Sequence, residues 1–248
     1  MDGRMQIEVY PTVGEVFEAA AALAADALRA AGAPRVALSG GRGGRGVMLA
    51  LAAIDDLPWE RIEWVWGDER CVPPGDPVSN VRVARDSLLG PRHLPEERIH
   101  PPPLELRDPD RIAAAYATTL RQLADAPLPV LDVVFLGVGT NGHIASLMPG
   151  CAALASRDVV APVPVSEVSE DPYVARVTIT PPVIAAARRV IVVVSGDEKA
   201  GPVAAALRDP LDPSHIPAQL VRPAPHVTWV VDRAAAAALL RDARPAAD

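Results

Sequence analysis

Cysteine is almost missing. Cys71 and Cys151 are the only two in 248 residues, too few for a disulfide framework and without the paired spacing of a metal site. Disulfide-stapled secreted scaffolds are thereby excluded, a reducing compartment is indicated, and no metal requirement is expected, since no His-x-His or acidic cluster has ligand spacing. No run of about 18 apolar, uncharged residues occurs, which argues against a helical membrane span. The opening MDGRMQIEVYPTVGE has no apolar leader segment, so the expected location is the cytoplasm. Basic residues are outnumbered, 24 against 31, for a net charge of -7. That balance speaks against a nucleic-acid surface yet leaves room for a local basic pocket that takes an anionic metabolite. Lysine is the rarest charge: Lys199 is the only one, and the other 23 basic residues are arginines. Aromatics amount to 4% and apolar residues to half the chain, a composition that says globular and little more.

What is present is an alternation of short apolar runs and helical stretches. Strands are expected at 5–10, 35–38, 61–66, 131–136, 173–180, 189–195 and 227–231, several of them continuous β-branched runs of the kind buried in parallel sheets. Helices are expected from Thr12 to about Ala31 with Gly32 as the C′ residue, over 46–54, over 80–89 behind a Ser79 cap, over 108–124, after Pro181-Pro182, from Lys199 through Leu207, and at the C-terminal alanine-rich stretch. Residues 91–103 read as a proline-rich connector with His93 and His100 on its surface, and 161–172 as a loop bordering the site. The fold class is α/β, a mainly parallel sheet with helices on both faces. Repeats are absent and no linker demands a second unit, so residues 1–248 are expected to form one domain, in a monomer or homodimer.

Chemistry gathers where strands end. The run Leu131 to Gly150, LDVVFLGVGTNGHIASLMPG, empties a strand into a glycine-rich turn, with Gly137, Gly139 and Gly142 around Thr140 and Asn141. His143 is thereby presented at the sheet's C-terminal edge, where open α/β sheets bind ligands. A neutral imidazole there suits a general base; the plainer reading is a histidine that only hydrogen-bonds its turn. Earlier, Ser39-Gly40-Gly41-Arg42-Gly43-Gly44-Arg45-Gly46 joins a strand to a helix, an arrangement in which backbone amides and two arginines favour a phosphate. Gly41, Gly43 and Gly46 also satisfy G-x-G-x-x-G with Asp68 downstream, which makes nicotinamide binding a rival. Asp68, Glu69 and Arg70 follow another strand, either as a solvated turn or with Arg70 free for bidentate anion contact, and Asn80 faces the same edge. Lys199, the lone lysine, stands at a strand-to-helix turn that suits a compact ammonium.

Taken in order, Ser39-Gly40-Gly41, Gly67-Asp68-Glu69-Arg70 with Ser79-Asn80, Gly139-x-x-Gly142-His143 followed by Ala145-Ser146-Leu147-Met148-Pro149-Gly150, Arg176-Val177-Thr178, and Gly196-x-x-Lys199 resemble the 6-phosphogluconolactonase family across essentially the whole chain. The resemblance implies a Rossmann-like fold shared with ribose-5-phosphate isomerase and glucosamine-6-phosphate deaminase, a sugar-phosphate substrate, hydrolysis of 6-phosphogluconolactone in the oxidative pentose phosphate pathway, and no nucleotide cofactor. It makes His143 the base that activates water, with Asp68, Arg70, Arg176 and Lys199 on the substrate and the Gly40-Gly41 turn in the phosphate cradle. Two departures stand out. Gly43 and Gly44 replace a threonine and a proline usual in the family, a loss of hydroxyl and rigidity that Arg42 or Arg45 would have to offset. Asn141 replaces a usual aspartate, and an amide can neither act as a carboxylate base nor hold an imidazolium by charge. Two further readings therefore stay open beside hydrolysis: a deaminase-like isomerase, and a sugar-phosphate-binding protein with weak or lost turnover.

Overall fold

The computed structural model describes residues 4–242. Its strands are β1 (Arg4–Tyr10), β2 (Arg35–Leu38), β3 (Glu63–Trp66), β4 (Asp68–Arg70), β5 (Val133–Leu136), β6 (Val160–Val163), β7 (Arg176–Ile179), β8 (Val190–Val194) and β9 (His226–Asp232). The helices between them are α1 (Val13–Ala30), α2 (Gly41–Ala52), α3 (Asn80–Ala84), α4 (Pro109–Ala124), α5 (Pro181–Ala186), α6 (Ala200–Arg208) and α7 (Ala237–Asp242). Six strands form one wholly parallel sheet in the order β1-β9-β8-β5-β2-β3.

The alternation of side chains along each strand divides the core in two. Val134 and Leu136 of β5, with Val190, Val192 and Val194 of β8, face α4, α5 and α6. Val133, Phe135, Ile191 and Val193 face α1 and α2 on the other side. Both faces are therefore covered, which is why β5 and β8 read as unbroken apolar runs. The chain runs outward from β2 to β3 in one direction and from β5 through β8 to β9 in the other. Its direction reverses between β2 and β5, and that switch point opens a crevice at the strands' C-terminal ends.

Several expectations change. Helix α1 begins with the expected Thr12 cap, closed as a capping box with Glu15, but it ends through an extended Ala31 rather than a left-handed Gly32. Helix α2 starts at Gly41, so most of the glycine-arginine run is helix rather than turn. The expected 80–89 helix is α3 followed by a π-helical turn, Arg85–Leu89. The strand expected over 173–180 is confined to β7.

A second, antiparallel sheet in the order β4-β7-β6 was not expected at all. Its strand β6 overlaps the start of the segment expected as a loop. Pro162 is accommodated there because β6 is an edge strand, where a missing N–H need not break a ladder. His93 is exposed as expected, whereas His100 is half-buried and meets Glu63 through Nε2 at 2.7 Å.

Candidate active site

The crevice is a cavity of about 410 Å³. Three parallel strands reach it with their C-terminal ends: β2 through Ser39–Gly41, β5 through Gly137–Gly139 and His143, and β8 through Ser195 to Lys199. The small sheet forms the remaining wall, with Asp68 and Arg70 from β4 and Arg176 from β7. Residues spread over 160 positions of sequence thus meet in one space, since Ser39 and Lys199 both line it.

The His143 turn is shaped by its glycines. Gly142 has φ 82°, and a Cβ on Gly139 would stand 2.0 Å from His143 Nδ1, so the imidazole rests directly on the Gly139 backbone. Asn141 fixes the ring. Its Oδ1 accepts from His143 N at 3.1 Å and lies 2.7 Å from Nδ1, while its Nδ2 donates to Ser169 Oγ at 2.9 Å. With the amide oriented by those partners, Nδ1 carries the ring proton and Nε2 keeps its lone pair. Burial holds the imidazole's pKa below the ordinary histidine value against the upward pull of Glu170 and Asp68, with Arg176 and Lys199 adding to the lowering.

Asp68 is held, not solvated. Its Oδ2 accepts from Ser146 Oγ at 2.7 Å, and Asn80 Nδ2 donates to its backbone oxygen at 2.9 Å. Asn80 Oδ1 in turn accepts from Arg70 Nη1 at 2.7 Å. Gly40 is required for this packing, because a Cβ there would fall 1.9 Å from Asn80 Oδ1. Beneath it Glu69 is fully buried and accepts from the backbone of Asn80 and Val81 at 2.8 and 2.7 Å, closing the start of α3.

The cations are arranged around the void. Arg70 Nε and Arg176 Nε are buried donors without partners, and Lys199 lines the cavity with a side chain that makes no hydrogen bond or ion pair among the described residues. Gly40 caps α2 without a side chain, so the helix's first amides are left for a ligand. Unpaired buried donors are costly in a folded protein, and the guanidiniums of Arg70 and Arg176 place positive charge beside the cavity.

Most of the expected residues come together: Ser39, Gly40, Gly41, Arg42, Asp68, Arg70, Asn80, His143, Arg176 and Lys199 all line the cavity. Arg42 does so already paired, to Glu198 at 2.8 Å and to the Ser195 carbonyl at 3.1 Å. Asn141 and Gly142 stand behind His143 rather than on the wall. Arg45 is exposed on α2, a turn past the helix start, and is not among the residues that line the cavity. Glu170, which no sequence pattern singled out, is on the wall, 3.4 Å from His143 Nδ1 through Oε2. Only its place in a segment expected to border the site pointed toward it.

The chain is similar to known proteins over most of its length. The model of the family described as glucosamine-6-phosphate isomerases/6-phosphogluconolactonase matches residues 12–229. The 6-phosphogluconolactonase of Streptomyces coelicolor is 36% identical over 233 residues, covering 90% of this chain and 88% of that protein. Among solved structures, 6-phosphogluconolactonase from Trypanosoma brucei superposes with a TM-score of 0.84 at 29% identity, over 95% of this chain and 99% of that one. A monomeric glucosamine-6-phosphate deaminase shares the fold at TM-score 0.81 and 22% identity, over 94% of this chain and 100% of that one. A match of this length places the chain, with its histidine and cationic side chains gathered at the sheet's switch point, in the glucosamine-6-phosphate isomerase/6-phosphogluconolactonase family.

Proposed function

We propose that this cavity hydrolyses 6-phosphoglucono-1,5-lactone to 6-phosphogluconate, the ring-opening step of the oxidative pentose phosphate pathway. The observation that carries the reading is the state of His143: Nδ1 is engaged by Asn141, so Nε2 is the basic nitrogen, in a cavity that also holds unpartnered cationic donors. Nε2 takes a proton from water as the oxygen attacks the lactone carbonyl. The tetrahedral oxyanion draws on nearby donors, Arg70 and Arg176 among them. Collapse breaks the bond from the carbonyl carbon to the ring oxygen, and the imidazolium returns its proton to that oxygen. A carboxylic acid and a hydroxyl result, with atoms balanced by the one water consumed.

The phosphate supplies binding energy remote from the reacting carbonyl. The amides at the start of α2, with Arg42 and Lys199 beside them, are its proposed seat. Arg45 has no part in it. Gly43 and Gly44 lie in the first turns of α2, where Gly44 N bonds Gly40 O at 3.3 Å, so the helix keeps its start without the family's usual threonine and proline.

The test compares the phosphorylated lactone with unphosphorylated glucono-1,5-lactone, each corrected for spontaneous opening. Removing a charge-assisted phosphate contact set is expected to lower kcat/KM by roughly a hundredfold or more. Equal values for the two lactones would contradict the phosphate cradle.

A further inference from the structure

The proposed reaction converts a buried neutral imidazole to an imidazolium, and a buried cation requires a compensating charge. The group bonded to Nδ1 carries none. Asn141 Oδ1 orients the ring from 2.7 Å but is an amide. We infer that Glu170 is the positioning residue of this site: its carboxylate, brought from a separate loop to the Nδ1 edge of His143, supplies the negative charge that Asn141 lacks.

The loop holds that carboxylate in place. Glu170 Oε2 lies 3.4 Å from His143 Nδ1. Its Oε1 accepts from Thr140 Oγ1 at 3.0 Å and from Thr140 N at 3.4 Å, so the residue is tied to the same turn that carries the histidine. Arg176 Nη2 donates to the Glu170 and Pro172 carbonyls, each at 3.0 Å, and anchors the loop from the β7 side. Ser169 meets Asn141 one residue earlier. Amide and carboxylate thus divide the work that a single aspartate could do: Asn141 sets the ring's direction and tautomer, and Glu170 sets its charge balance. The other charged groups that face the imidazole are Asp68, Arg176 and Lys199. None of these three is within bonding distance of Nδ1, so Glu170 is the carboxylate that acts on that edge directly.

The assignment rests on the hydrolytic reading for its catalytic consequence, but the pairing itself is measurable without any lactone. Glu170→Gln is the probe, since a glutamine retains an oxygen for Thr140 while it removes the negative charge beside Nδ1. NMR titration of His143, identified by the resonance lost in His143→Ala, is expected to show its midpoint falling by about one pH unit in Glu170→Gln. Lactone hydrolysis is expected to drop by up to about tenfold in kcat, with the acid limb of the pH profile moving down by about one pH unit. Adding Asn141→Asp to Glu170→Gln returns a carboxylate to the 2.7 Å position, and both the midpoint and kcat are expected to recover.

An unchanged midpoint in Glu170→Gln would overturn the inference. So would a kcat loss with no shift of the limb and no rescue by Asn141→Asp, which is the signature of a merely structural loop contact. A shifted midpoint in a protein whose wild type does not open the lactone would retire the proposed function while leaving the pairing intact.

Discussion

At the scale of single residues, the chemistry depends on one nitrogen being unprotonated. His143 acts as a base only in its neutral form, and its pKa is held low by burial, with the carboxylates of Glu170 and Asp68 opposing. Activity is therefore lost as pH falls through that pKa and is full above it. The acid limb of kcat/KM is expected to lie below pH 6.5, the ordinary histidine value. A limb centred above pH 7 would mean that the carboxylates outweigh burial. His143 and Lys199 were legible in the sequence because each follows a strand end through a glycine-marked turn, and Asp68 and Arg70 because they follow the apolar run of β3 and Gly67, although they form β4 rather than a turn. Glu170 was not: it sits in a segment without periodicity, and its partner is 27 residues away, so nothing local couples the two. Arg45, also expected at the site, stands outside the cavity lining for the opposite reason. The glycines around it suggested a loop, whereas they form the first turns of α2, which leaves Arg45 exposed and away from the cavity.

At the scale of elements, the small sheet is what turns a parallel-sheet crevice into a walled site. Strand β4 pairs with β7 so that Arg70 stands opposite Arg176 and Asp68 opposite Thr178. Two like charges in register are tolerable where an anion is to be received. The arrangement hangs on Glu69, whose carboxylate accepts from Ser79 Oγ and from the amides of Arg70, Asn80 and Val81. Its pKa is raised by burial even though all four of those bonds pull it down. Glu69→Ala leaves several buried donors unpaired and is expected to lower stability by about 2–4 kcal/mol. Urea unfolding would read this as a lower midpoint at unchanged m-value; a loss below about 1 kcal/mol would show that water replaces the carboxylate. Neither β4 nor β6 was readable beforehand. A three-residue strand of Asp-Glu-Arg has no apolar alternation, and Pro162 within Val160–Val163 argues locally against a strand. The long parallel strands were legible because both their faces are buried, which makes them unbroken apolar runs.

At the scale of the whole molecule, the site follows from topology. Crossovers that leave β2 in one direction and β5 in the other must part between those strands, and the turns after β2, β5 and β8 meet at that gap. Among the described residues no helix is long and apolar enough to cross a membrane, and no cluster of histidine, cysteine and acidic side chains has the makings of a metal site. The cavity's own side chains include a candidate base, carboxylates and cationic groups that suit an anion. The most direct measurement is the opening of freshly generated 6-phosphoglucono-1,5-lactone by the purified protein, read as acid release above the spontaneous rate, with His143→Ala in parallel. Acceleration by the wild type and a loss of roughly 10²–10⁴-fold in a variant that remains folded is the predicted result. Equal rates for the two proteins would contradict the account.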